Sequence, residues 1–293
     1  MNITATRFAT QIRTWLLIAG LTALLIAIGG AIGGGALWLF VALAVLMNVG
    51  GYWFSDKLAL KASRARPLQP GEVPELERIA GLLAQRANVP VPRLYVIPSD
   101  QPNAFATGRD PQHAAVAVTE GLLHQLPTDE VQGVLAHEFA HIKNRDILVS
   151  SIAAMVAGAI SAVATVLQFS MLFGGDEDDS PLGLLGTLGA IIVAPIAAML
   201  LQLGISRQRE FLADATGAQL LGHAAPLADA LTTLERGAQA LPMDVNPATA
   251  SLYAVNPLPR RGLATLFMTH PPLDERIRRL RAMDGERAFA LAA

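Results

Sequence analysis

His137-Glu138-Phe139-Ala140-His141 places two imidazoles four residues apart, with a carboxylate beside the first. On an α-helix, side chains at i and i+4 stand one above the other on a single face. Such a pair can grip one metal ion, and the intervening Glu can reach a water next to it. The chemistry implied is metal-assisted peptide hydrolysis, and the metal expected is one zinc ion per chain. A catalytic zinc site keeps three protein ligands, drawn from Cys, His, Asp or Glu. The chain has no cysteine, so the third ligand must be His, Asp or Glu.

The other histidines are His113, His124, His223 and His270. The first three lie in turn-like or polar surroundings and read as surface residues. A His six residues beyond His141 would mark another class of metallopeptidase, but that position is Ile147. The better candidate is Glu210, in Arg207-Gln208-Arg209-Glu210-Phe211-Leu212-Ala213-Asp214. Glu210 and Asp214 share one face of a second helix. One carboxylate could bind the metal while the other accepts the free ring N–H of a ligand histidine. An exposed acidic helix face is the plainer alternative. Glu138 is expected to act as the general base rather than as a ligand.

These residues need positioning elements. The segment 56–146 holds the motif helix, opened by Thr128 as cap with Asp129 and Glu130 in its first turn, where the helix dipole favours acids. Before it, Val73–Ala87 has helical spacing with Leu76, Ile79, Ala80 and Leu83 on one face. Arg93–Ile97, Ala104–Thr107 and Ala114–Thr119 read as short strands, the last two around a Gly108–Pro111 turn. Strand Asn103–Thr107 would be an edge that pairs with an extended peptide backbone, with Ala104 and Ala106 leaving it accessible.

Composition sets the surroundings. Only 16% of the 293 residues are charged, against about 25% in a soluble domain. The deficit is concentrated in residues 14–55, 147–175 and 180–206, which carry no Asp, Glu, Lys or Arg. A membrane span needs roughly 20 such residues. The first stretch therefore predicts a helical hairpin, about Thr14–Gly30 and Ala36–Phe54, with a glycine-rich turn. The other two predict a second pair, either spanning or embedded less deeply. Arg7, Arg13, Lys57, Lys61, Lys143, Arg145, Arg207 and Arg209 flank the pairs, and the intervening loops have no Lys or Arg. Positive flanks stay on the cytoplasmic side, which puts both termini and the motif there. Asp176–Asp179 reads as a solvated loop. The expected divisions are residues 1–55 (first hairpin), 56–146 (first part of the protease domain), 147–206 (second hairpin) and 207–293 (second part). A net charge of −2 argues against a nucleic-acid partner.

Taken together, HEFAH, the following hydrophobic pair and SRQREFLAD resemble the HtpX-type membrane zinc metalloproteases, relatives of the Ste-type CAAX endopeptidases. The resemblance extends through NAFATGR at Asn103–Arg109, AVAVTEGLL at Ala115–Leu123 and THPPLDERI at Thr269–Ile277. It implies an α+β, mainly α fold: a polytopic helical membrane protein with a gluzincin-like protease domain and a small sheet. It implies Glu210 as third ligand and Asp214 as the support of a ligand histidine. It also implies that His270 and Asn103 bind substrate or stabilise the oxyanion. The function implied is cleavage of misfolded or damaged membrane proteins at a bacterial inner membrane, under stress. Oligomeric state is left open. A metal-binding scaffold without turnover, a transporter and a CAAX-type processing enzyme are the competing classes. Intact Glu138 argues against the first, the absence of charged or His residues within the apolar stretches against the second, and the few spans against the third.

Overall fold

A computed structural model describes residues 35–154, 207–241, 243, 245, 249–257 and 271–292, and some helical residues between 12 and 30. The second apolar pair, the Asp176–Asp179 loop and His270 lie outside the described residues.

The first long helix, α1 (Ala36–Ala62), begins where the first hairpin's second arm was expected. It ends eight residues later than Phe54, because Ala59 and Leu60 are buried beneath the sheet, against Phe105, Ala115 and Ala117. Among the described residues, no single helix is long and apolar enough to cross a membrane. Two arms of α1, Leu37–Leu46 and Asn48–Ala62, meet the length and composition requirement together but are bent by 42°. Residues 29 and 30 are helical. Asn48 Nδ2 donates to Thr22 Oγ1 at 2.7 Å, linking α1 to the helical residues around Thr22.

The sheet has four strands: β1 (Arg66–Pro67), β2 (Arg93–Ile97), β3 (Ala104–Thr107) and β4 (Ala115–Thr119). Their order is β1-β2-β4-β3. β2 and β4 are parallel, while β3 returns antiparallel to β4 and forms the edge. Small Ala and β-branched Val residues let β4 be buried on both faces. Ala104, Ala106, Val116 and Val118 face the main core; Phe105, Ala115 and Ala117 face α1 and Tyr253.

Helix α2 (Pro74–Ala87) starts on a proline, carries Glu75 and Glu77 in its first turn and stops at Asn88 in the left-handed conformation. It buries the expected face of Leu76, Ile79, Ala80 and Leu83, together with Ala84 and Ala87. A short helix, α3 (Glu120–Gln125), was not expected; Thr119 caps it by accepting from Leu122 N at 3.1 Å. The motif helix α4 (Thr128–Asn144) begins one residue earlier in its cap than the sequence implied. Pro127 occupies the cap, its carbonyl accepting from Val131 N, and the Thr128 side chain makes no capping bond.

Helix α4 lies at the centre, against β3, α2, α5 (Arg207–Leu221) and α6 (Ala225–Ala240), while α7 (Leu273–Ala292) packs on α5 and α6. Its close neighbours require small residues. A Cβ on Gly133 would meet backbone atoms of Pro226 and Leu227 at 2.7 Å. Gly133→Ala should therefore push α6 away and lower stability by about 1–3 kcal/mol, the usual cost of overpacking. Denaturant unfolding of the purified variant checks this.

Candidate metal centre and active site

Helix α4 presents His137 and His141 on one face, with ring centroids 4.6 Å apart and planes at 87°. Their Nε2 atoms approach to 3.1 Å. Glu210 of α5 comes in from the side: Oε2 is 3.6 Å from His137 Nε2, and Oε1 is 3.7 Å from His141 Nε2. Ligand bonds of 2.0–2.1 Å in a tetrahedral site separate ligand atoms by about 3.3 Å. The three ligand atoms lie within 4.8 Å of one another, and the observed separations bracket that spacing.

Hydrogen bonding fixes which nitrogens face inward. His137 Nδ1 is 3.0 Å from Asp214 Oδ1, and His141 Nδ1 is 3.0 Å from Asp146 Oδ1. A carboxylate on Nδ1 makes that nitrogen the donor, so each Nε2 carries a lone pair. Two ring nitrogens 3.1 Å apart beside a carboxylate call for positive charge among them, a proton shared between the rings or a metal ion in its place. The donor set therefore fits a bound metal ion.

Each support has a backbone cause. Gly217 lets α5 approach α4 closely; a Cβ there would stand 3.1 Å from His137 N. That approach brings Glu210 and Asp214 to the histidines, and both acids are buried rather than forming an exposed face. Arg145 adopts the left-handed conformation, with φ 61°, and ends α4. The chain then turns so that Asp146 N donates to His141 O while its carboxylate reaches the ring above.

The sequence reading missed Asp146 and Arg276 as contributors. Arg276 of α7 is wholly buried. Its Nε and Nη2 donate to the two oxygens of Asp214 at 2.8 and 2.7 Å, and Nη1 donates to Ala254 O at 3.1 Å. Its sequence signal is the arginine of Leu273-Asp274-Glu275-Arg276-Ile277, just beyond His270.

Electrostatics follow this arrangement. Burial would raise the Asp214 carboxyl, but Arg276 and His137 bring it down to about 2. Burial holds His137 below its ordinary value, with Arg276 and His141 acting in the same sense. Burial opposes protonation of His141 too, yet Asp146, Glu210 and Glu138 outweigh it and raise the group to about 10. Burial lifts Glu138 to about 7, and Glu210 adds to the rise. A carboxyl near neutrality suits a general base. Ala106 of the edge strand lines the same cavity as Glu138, which puts that strand beside the site.

Asn103 spends its side chain on the segment around Val255. It is buried and its Nδ2 donates to Val255 O at 2.7 Å, while its Oδ1 accepts from Ala104 N and Val255 N at 3.0 and 3.3 Å. Ala254 N also donates to Ala104 O at 2.9 Å, so this segment occupies part of the edge expected to take a peptide. Leu252, Tyr253 and Ala254 line a cavity of about 20 Å³ beside His137, Glu138, His141 and Glu210. That volume admits a single water-sized species and no polypeptide. His113, His124 and His223 are exposed, as expected.

A helix-borne HExxH facing a buried glutamate on a neighbouring helix defines a metallopeptidase of the gluzincin kind. The chain belongs to peptidase family M48, whose model matches residues 70–284, and it is a metalloendopeptidase. A "Protease HtpX homolog" of Syntrophobacter fumaroxidans is 54% identical over 281 residues, covering 94% of this chain and 99% of that protein. Another from Pyrococcus furiosus is 49% identical over 278 residues, covering 94% and 96%. The crystal structure of S. mikatae Ste24p shares the fold with a TM-score of 0.51 at 20% identity, over 94% of this chain and 67% of that one.

Arg276→Gln should leave the buried Asp214 charge without its main partner. The expected loss is about 3–5 kcal/mol of stability and about 10–100-fold in metal affinity, read by unfolding and by competition with a chelator. A disulfide between Ala104→Cys and Ala254→Cys, the chain's only thiols, should hold the covering segment in place. Peptide cleavage should then fall under oxidation and return on reduction, as measured with an unfolded polypeptide substrate.

Proposed function

We propose that this metalloendopeptidase uses zinc and cleaves unfolded or membrane-embedded polypeptides at the cytoplasmic face of a bacterial inner membrane. The convergence of His137, His141 and Glu210 beside the buried Glu138 carries the reading. All three metal-facing groups are nitrogen or carboxylate oxygen, the donors that zinc takes in a catalytic site. When bound there, zinc would polarise the peptide carbonyl and lower the pKa of water.

The chain's own groups do the rest. Glu138 takes a proton from the attacking water and delivers it to the leaving amine. Asp214 and Asp146 keep the two imidazoles in the tautomer that turns Nε2 inward. Arg276 keeps Asp214 charged. The edge strand β3 pairs with an extended substrate backbone once residues 252–255 give way, which makes selection depend on backbone more than on side chains. His270 is assigned to the substrate side, and release of the Val255 contacts would free Asn103 for the same task.

Seating in a membrane is supported by the exposed apolar residues of α1, among them Trp38, Leu39, Leu43, Leu46 and Val49, and by the apolar stretches 147–175 and 180–206. The distribution of Lys and Arg at their flanks supports a cytoplasmic site. Misfolded or damaged membrane proteins, encountered under stress, fit a site that selects by accessible backbone.

Glu138→Gln should retain zinc at one ion per chain and lose cleavage of an unfolded substrate by at least about 100-fold. Glu210→Ala should lose zinc as well. Metal analysis and cleavage assays of the detergent-purified variants read both. Undiminished cleavage by the Gln variant would sink the mechanism.

A further inference from the structure

The last turns of the apolar part of α1 meet the turn between β3 and β4 around a cavity of about 500 Å³. Trp53 and Phe54, each 51% exposed, form one wall. Lys57 and Arg109 form another, with Arg93 and His113 nearby. The Arg109 guanidinium sits over the Trp53 ring at 4.8 Å, and Lys57 Nζ lies 5.4 Å from the Phe54 ring centre.

Charge in this pocket is unevenly balanced. Asp56 is buried and committed to Arg93, at 2.6 Å. Asp110 is committed to its own turn, where it accepts from His113 N at 2.9 Å and stands 2.7 Å from His113 Nδ1; Arg109 Nε is 3.6 Å away. Lys57 has no acidic partner among the described residues. The pocket thus offers cations that its own carboxylates do not fully use.

Order along α1 selects the ligand. An exposed apolar band including Leu43, Leu46 and Val49 is followed by Tyr52 and Trp53, and then by Asp56 and Lys57 as the first charged residues. Apolar, aromatic and cationic layers in that order match the depth profile of a phospholipid: acyl chain, glycerol, phosphate. A soluble anion would need only the cations, and an acidic protein surface would have no use for the apolar band.

We propose that this pocket holds the phosphate headgroup of an anionic phospholipid whose chains lie along α1. Lys57 supplies the cation from the helix and Arg109 the cation from the turn. Arg109 follows Gly108, whose φ of 140° and lack of room for a Cβ beside the His113 carbonyl fix the turn's shape. The lipid therefore bridges α1 to the hairpin that carries the substrate edge. The assignment rests on the reading of α1 as a membrane helix.

The full chain, purified in detergent, should be titrated with phosphatidylglycerol and phosphatidylcholine and its bound lipid read by native mass spectrometry. Phosphatidylglycerol should be retained preferentially. Each cation is worth about fivefold near a membrane surface, so Lys57→Gln should weaken the preference about fivefold and Lys57→Gln/Arg109→Gln about 25-fold. Circular dichroism checks folding, and the single variant, altering one exposed side chain, serves if the double variant aggregates. Equal retention of the two lipids, or an unchanged preference in Lys57→Gln, overturns the proposal. Displacement of the lipid by inorganic phosphate alone also overturns it, in favour of a free-anion site. Flotation with vesicles of phosphatidylcholine alone tests the membrane reading separately: a chain that floats but shows no headgroup preference loses only the lipid site, and one that fails to float loses the reading beneath it.

Discussion

A carboxylate removed from water has to be matched by positive charge or by hydrogen-bond donors. Asp214 meets this demand through two donors from Arg276 and one from His137, joining α7, α5 and α4 at a single buried group. Its surroundings raise the stakes, because Glu138, Asp146 and Glu210 are buried in the same region. The buried guanidinium, two imidazoles and the metal that fits between them balance these acids. Much of the local backbone serves that balance. Gly217 exists where α5 must come close enough to deliver its acids, and Arg145 takes an uncommon left-handed turn where Asp146 must fold back under His141.

The two ligand histidines are supported differently. His137 rests on an acid already paired with arginine, whereas His141 rests on Asp146, from the segment that follows directly on its own helix. The first support depends on helices distant in sequence, the second on one local turn. Proper presentation of the metal face thus joins long-range packing with a feature that forms as α4 itself terminates.

Local signals were legible where they were repeated or chemically dense. HEFAH announced its helix and its ligands, the face of α2 followed from residue spacing, and the alternation of Ala and Val in Ala115–Thr119 marked a strand. Glu210 and Asp214 could be proposed because their spacing mirrored that of the histidines. Asp146 was not legible, since its role requires the backbone conformation of Arg145. Arg276 was hidden in a charged helix start, where arginines ordinarily face solvent; only the packing of α7 buries this one. Asn103 was legible as special but not for its task, because its partner Val255 lies 152 residues away. The extension of α1 past Phe54 was not legible, because Lys57 and Lys61 mask the apolar Ala59 and Leu60, which belong to the core under the sheet.

That extension has a mechanical meaning. One helix runs from the exposed aromatic pair at Tyr52 and Trp53 to Ala59 and Leu60, packed against Phe105 of the edge strand. Six residues of helix separate Trp53 from Ala59, a rise of about 9 Å. Under the membrane seating proposed above, with one end at the boundary of the apolar layer and the other under β3, the helix would act as a gauge of fixed length. Cleavage would then be located by how far a substrate has emerged from that layer, a distance counted in residues of extended chain, before any side chain is consulted.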